Sequence, residues 1–177
     1  AGYPNGFEVG MDCPNDRYVN DDKICQAVVS MLAKIGVKVN LRAQTRNLYF
    51  AKILRSTQDG KPNNTSFYML GWSPATTYDV HNVFEQIIQT PDIKTKKGLF
   101  NAGGYSNKKF DELANAVEVE TDKAKRDAMI REATKIYVDD YAYVPLHQQA
   151  LVWATRKNVD LVQPADNNFP LRWVTVK

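Results

Sequence analysis

Histidine and cysteine are scarce in this sequence, and each scarcity closes a route to chemistry. The only histidines are His81 and His147. There is no H-E-x-x-H pair and no carboxylate at metal-ligand spacing, so zinc and iron chemistry is not expected. The only cysteines are Cys13 and Cys25, whose spacing fits neither a zinc pattern nor C-x-x-C. Glycine-rich phosphate loops are missing as well, and Gly103-Gly104 reads as a flexible loop. No cofactor or metal is therefore expected. No run of ~18 apolar residues occurs, so no stretch is long and apolar enough to cross a membrane as a helix. Charge of one sign is also in short supply: 23 Lys and Arg against 20 Asp and Glu leave +3. That is too little to imply a polyanionic partner, and Lys94, Lys96, Lys97, Lys108 and Lys109 read as a solvated face without nucleic-acid binding. A signal peptide is lacking too. Ala1-Gly2-Tyr3-Pro4-Asn5-Gly6 reads as a turn leaving a helix, so the chain is expected to begin inside a larger protein.

What is present suits one good-sized core: 177 residues, 44% apolar and 24% charged. Phe7 to Cys13 reads as a strand ending at Pro14. A polar loop through Arg17 and Tyr18 follows, then Asn20 as N-cap, with Asp21 and Asp22 in the first turn where the helix dipole favours acids. Ile24, Val28, Met31, Leu32 and Ile35 recur at helical spacing as far as Gly36. Val37, Val39 and Leu41 alternate with polar residues as a second strand. A parallel pair with a right-handed crossover is expected. The two cysteines would then sit at the strand end and one turn into the helix. They either close a disulfide, which would imply an oxidising compartment, or remain two buried thiols.

Further along, Thr45 to Arg55 reads as a short helix, Phe67 to Trp72 as a strand and Val80 to Gln89 as a helix. Thr90 to Tyr105 has no period and reads as a long surface loop. Two helices follow, one capped by Ser106 and carrying Phe110, Leu113, Ala114 and Val117. The other is capped by Thr121 or Asp122, with Ala124, Met129, Ala133, Ile136 and Tyr137 facing inward. Tyr143 to His147 and Leu151 to Thr155 read as two strands, and the tail from Asn158 to Lys177 as irregular.

The strand ending in Gly71-Trp72-Ser73-Pro74 draws attention because α/β folds bind ligands beyond strand C-termini. Gly71-Trp72-Ser73-Pro74-Ala75 half-matches a nucleophile elbow, and Asp79 and His147 follow in hydrolase order. A small α/β serine esterase using Ser73 is therefore the alternative reading. Pro74 argues against it, because the residue after the serine must donate a backbone N–H to the oxyanion and proline has none. The remaining groups are binding groups: Trp72, a flat apolar wall with one N–H donor, and Arg17, a fork suited to a carboxylate. A third reading is an interaction module whose exposed aromatics bind another protein.

Three runs give these segments a family resemblance. They are Ala1-Gly2-Tyr3-Pro4-Asn5-Gly6-Phe7, Tyr68-Met69-Leu70-Gly71-Trp72 with Asp79-Val80-His81-Asn82-Val83-Phe84, and Gly104-Tyr105-Ser106-Asn107-Lys108-Lys109-Phe110-Asp111. Together with Arg126 to Pro145, they make the chain resemble the C-terminal lobe of peptide/opine/nickel-type ABC-transporter solute-binding proteins, the dipeptide- and oligopeptide-binding kind. The resemblance implies an α/β, periplasmic-binding-protein-like lobe of type II, a mixed sheet with flanking helices, cut from a larger two-lobed protein. Residues 1–157 would form the incomplete C-terminal ligand-binding lobe, and 158–177 a tail returning to the other lobe.

The same resemblance implies a non-catalytic, periplasmic or extracellular bacterial protein. It would capture a peptide or peptide-like solute between lobes and deliver it to an inner-membrane ABC permease, with the missing N-terminal lobe as its other partner. Arg17 matches the family's arginine for the ligand carboxylate. Ala75 stands where the family has an aspartate for the ligand amino group, so the usual recognition of a free amino group is in question. The expected ligand-binding residues are Arg17, Tyr18, Trp72, Ser73, Ala75, Thr76, Tyr78 and Asp79.

Overall fold

A computed structural model describes residues 2–61, 65–74, 77–164 and 168–177. Strand β1 (Phe7–Pro14) is central, flanked by β2 (Val37–Gln44) and β3 (Phe67–Tyr68), and all three are parallel. Helix α1 (Asp21–Ala33) links β1 to β2. Helices α2 (Arg46–Ile53) and α3 (Arg55–Gln58) link β2 back past β1 to β3. Parallel crossovers follow a right-handed rule, and two that run in opposite directions along a sheet carry their helices to opposite faces, as the packing of α1 and α2 does here.

The residues follow that geometry. Strand side chains alternate, so Met11 and Cys13 point to one face and pack with Cys25 of α1 and with Met69. Asp12 points to the other face, where Lys52 of α2 reaches both its carboxylate oxygens at 2.6 and 2.5 Å. Tyr49 and Ile53 of α2 fill that side together with Ala102.

Cys13 and Cys25 form a disulfide across a Cα separation of 6.5 Å. It closes a short loop, and constraining such a loop in the unfolded chain contributes about 3 kcal/mol. The double variant Cys13→Ala/Cys25→Ala is therefore expected to lose about 3 kcal/mol of stability in urea unfolding. A loss near zero would mean that the native state is strained by the bridge as much as the unfolded chain is restrained by it.

The second half packs as a separate cluster. α4 (Val80–Val83) runs into a π-helical turn, Phe84–Ile88, so the helix read from the sequence widens after its first turn. α5 (Lys108–Val119) and α6 (Lys123–Asp139) lie against this turn, around Phe84, Ile87, Ile88, Phe110, Ala114 and Ala133. Asn107, rather than Ser106, caps α5 by accepting the Phe110 N–H, and Asp122 caps α6 through the Lys125 N–H. Asn20 adopts a left-handed conformation and makes no side-chain cap bond. Ala124 is exposed, and so are Met31 and Ile35.

Residues 90–105 are not simply a surface loop. Asn101 is fully buried, and its amide donates to the carbonyls of Ile88, Gln89 and Tyr105 while its carbonyl accepts the Tyr105 N–H. A polar side chain here does the organising that periodic apolar residues do elsewhere.

The strands expected at 143–147 and 151–155 do not form. Their residues lie outside any ladder, and Val144 and Val152 are 75% and 87% exposed. β-propensity alone does not make a strand where no neighbouring edge is offered. The tail, by contrast, pairs with itself: β4 (Val159–Asp160) and β5 (Thr175–Val176) are antiparallel, with a 3-10 turn at Leu171–Trp173 between them. Trp153 stacks on Phe169 at 4.4 Å.

Candidate functional site

The sheet order β2-β1-β3 means that the chain leaves β1 in one direction and returns to its other side. At such a reversal, the loops after the two neighbouring strands diverge and leave a crevice at their C-terminal ends. A concavity of about 310 Å³ lies here, lined by Arg17 and Tyr18 from the loop after β1 and by Leu70 to Ser73 from the segment after β3. Phe50 of α2 and Phe100 complete it. Of the expected strand 67–72, Phe67 and Tyr68 form ladder pairs and the Met69 N–H still donates to the Asp12 carbonyl at 3.2 Å, while Leu70, Gly71 and Trp72 continue beyond the ladder and line one wall.

The loop after β1 is tied at several points. Asn15 N–H donates to the Gln44 carbonyl at 2.9 Å, and Asp16 accepts the Arg46 N–H at 2.5 Å. The Arg17 guanidinium lies 4.9 Å from the centre of the Tyr18 ring. Among the described residues it forms no ion pair. Tyr18 packs its ring on Gly71 and donates its hydroxyl to the Gly71 carbonyl at 3.2 Å. A Cβ at Gly71 would stand 2.7 Å from that ring, so this close approach requires glycine.

Trp72 is half-buried, 4.8 Å from Phe100 in a tilted pair. Its indole N–H donates to Asn82 at 2.9 Å. The ring thus forms a wall of the concavity, and the donor read from the sequence is already engaged. The site is one cation among aromatic and aliphatic surfaces.

The other expected residues are placed differently. Ser73 lines the concavity, but Tyr78 and Asp79 do not. Ala75 and Thr76 lie outside the described residues. Asp79 caps α4 by accepting the His81 N–H at 2.9 Å, and Nη2 of Arg126 reaches both its carboxylate oxygens at 3.0 and 2.8 Å. An ion pair between residues so distant in the chain leaves no local sequence signal. Both Asp79 oxygens are engaged by Arg126 and Oδ1 also by the His81 backbone N–H, and Pro74 still lacks the oxyanion donor. Nothing here favours an esterase.

Burial alone would raise the Asp79 pKa, but the Arg126 bond and the His81 N–H outweigh it and hold the carboxyl below its ordinary range. A depressed folded value means that the pair stabilises at neutral pH, and that this is lost as the pH falls through the depressed value, below about 4. Arg126→Met is therefore expected to lower the thermal midpoint at pH 7. The gap from wild type should narrow below about pH 4 to the part owed to the Arg126 bond with the Val117 carbonyl. A gap independent of pH would show that Asp79 is not what Arg126 stabilises.

Comparison with known proteins gives a consistent result. No family model matches the chain. The glutathione-binding proteins GsiB of Shigella dysenteriae serotype 1 and of Escherichia coli K12 are each 28% identical over 160 residues, 90% of this chain. The chain spans about 30% of the length of these curated relatives. Among solved structures, the periplasmic binding protein DppA of Helicobacter pylori in complex with peptide STSA matches with a TM-score of 0.65 at 24% identity, over 82% of this chain and 26% of that one. A substrate-binding protein from Microbacterium hydrocarbonoxydans, complexed with 4-hydroxybenzoate hydrazide, matches with a TM-score of 0.73 at 13% identity, over 98% of this chain and 34% of that one. In sequence and in fold, the chain is similar to one lobe of peptide-type ABC-transporter solute-binding proteins, as its motifs indicate. Its relatives are named for binding, not for catalysis. Among the described residues, no helix is long and apolar enough to cross a membrane.

Proposed function

We propose that this chain is a ligand-binding lobe of an ABC importer's solute-binding protein. It captures a peptide or peptide-like acidic solute between lobes and presents it to the permease. The observation that carries this reading is a guanidinium without an acidic partner among the described residues, standing on the same concave surface as Tyr18, Phe50, Trp72 and Phe100. Such a surface suits a solute with one anionic group and an apolar body. Arg17 pairs with the acid, the rings of Trp72 and Phe100 pack its body, and Ser73 and its neighbours add hydrogen bonds. The protein works without chemistry of its own, in the periplasm or outside the cell, where a disulfide persists. Residues 1–157 form the lobe. The self-paired tail, 158–177, leads toward the second lobe, which closes the cleft.

The names of the relatives put glutathione first among solutes to try, with dipeptides and opines beside it. Ala75 offers no carboxylate to an amino group, so N-acetylated peptides are expected to bind as well as free ones. Calorimetry of the intact protein against this panel tests the reading. Saturable binding of an acidic member supports it, and heat from none of them counts against it.

A further inference from the structure

The loop that carries Arg17 and Tyr18 is held by a carboxylate outside the concavity. Asp21 is only 2% exposed, and among the described residues no cation pairs with it. Its Oδ2 accepts the backbone N–H groups of both Arg17 and Tyr18, at 2.9 and 3.0 Å, and its Oδ1 accepts that of Asp22 at 2.9 Å. An ionised carboxylate is among the costliest groups to take out of water. Here the loss of hydration is offset by these bonds and by the positive end of α1. An ordinary cap reaches forward to the free N–H groups of its own helix. Asp21 reaches backward, and two of its three donors belong to the consecutive residues whose side chains line the site.

We propose that Asp21 is a positioning residue: it fixes the backbone of Arg17 and Tyr18 so that guanidinium and ring stand in place before a solute arrives. This rests on the reading of Arg17 as the acid-binding group. The place of the guanidinium follows from two N–H bonds and from the ring beneath it, which Gly71 seats. A loop ordered in advance spares the ordering cost on binding, so loosening it weakens affinity without removing any ligand contact.

The test uses Asp21→Ala and Asp21→Asn in the intact protein, with two readouts. The first needs no solute: amide hydrogen exchange at Arg17 and Tyr18, and nitrogen relaxation at Arg17 Nε. In Asp21→Ala, exchange at both amides is expected to rise by about tenfold or more while the β1–β2 ladder stays protected, and Nε to become mobile. Asp21→Asn, which keeps one acceptor oxygen, is expected to restore part of the order. Unchanged exchange and relaxation would overturn the proposal.

The second readout is a calorimetric double-mutant cycle with glutathione as the probe. Asp21→Ala is expected to weaken binding about tenfold alone and by less than about twofold once Arg17 is already alanine. Full additivity would overturn the proposal, because a purely structural loss is indifferent to the presence of Arg17. If Arg17→Ala itself leaves affinity unchanged, it is the acid-binding reading that fails, and the exchange data decide the role of Asp21.

Discussion

Arg17→Ala is expected to weaken binding of an acidic solute by the intact protein about tenfold or more, while the thermal midpoint hardly moves. A charge-assisted hydrogen bond to a carboxylate contributes about 1.5–3 kcal/mol, and a two-pronged one sits at the upper end. The fold has little at stake in this side chain. Arg17 is exposed, and its described side-chain contact is the cation-π approach to Tyr18, about 0.5–1 kcal/mol at such a site. Arg17→Lys keeps the charge and loses the fork, so its affinity should fall between the two. Calorimetry with the best acidic solute checks this, and a change of twofold or less in Arg17→Ala would show that the acid is held elsewhere.

Phe110→Ala carries the largest expected cost to the fold, about 3–5 kcal/mol in urea unfolding. Phe110 is fully buried on α5. Its ring meets those of Phe84 at 5.2 Å, Tyr137 at 6.1 Å and Tyr105 at 6.4 Å, each edge-on. One side chain therefore joins the π-helical turn to α5 and α6. Aromatic pairs of this geometry add to the burial of area, and alanine would leave a cavity that three rigid rings fill poorly. A loss below about 1.5 kcal/mol would mean that this cluster repacks easily around the missing ring.

The legible parts of this chain were those written in local periodicity. Val37, Val39 and Leu41 alternate as a strand should, and of the helical run Ile24, Val28, Met31, Leu32 and Ile35, Ile24 and Val28 pack toward the sheet while Met31 and Ile35 are exposed. From these, the β1-α1-β2 unit and the loop bearing Arg17 could be placed. Gly71 to Ser73 could also be placed beyond a strand end, because a strand and a glycine frame them, and they line the concavity.

Contacts between distant residues were less legible. The carboxylate of Asp79 looks free in sequence until Arg126 arrives from α6, and the Trp72 N–H looks available until Asn82 is found beneath it. Asn101 has no periodic signature because its work is done by an amide amid three carbonyls. Asp21 sits where any helix would welcome an acid, which hid its backward bonds to the loop. The extended run 143–155 shows the converse error. Its residues favour strands, but pairing needs a partner edge that propensity cannot reveal.

The most direct test is a crystal structure of the intact protein with the acidic solute that binds best. The acidic group is expected within hydrogen-bond distance of the Arg17 guanidinium, with the rest of the solute against Trp72 and Phe100. A solute seated elsewhere, with Arg17 left in bulk water, would contradict it.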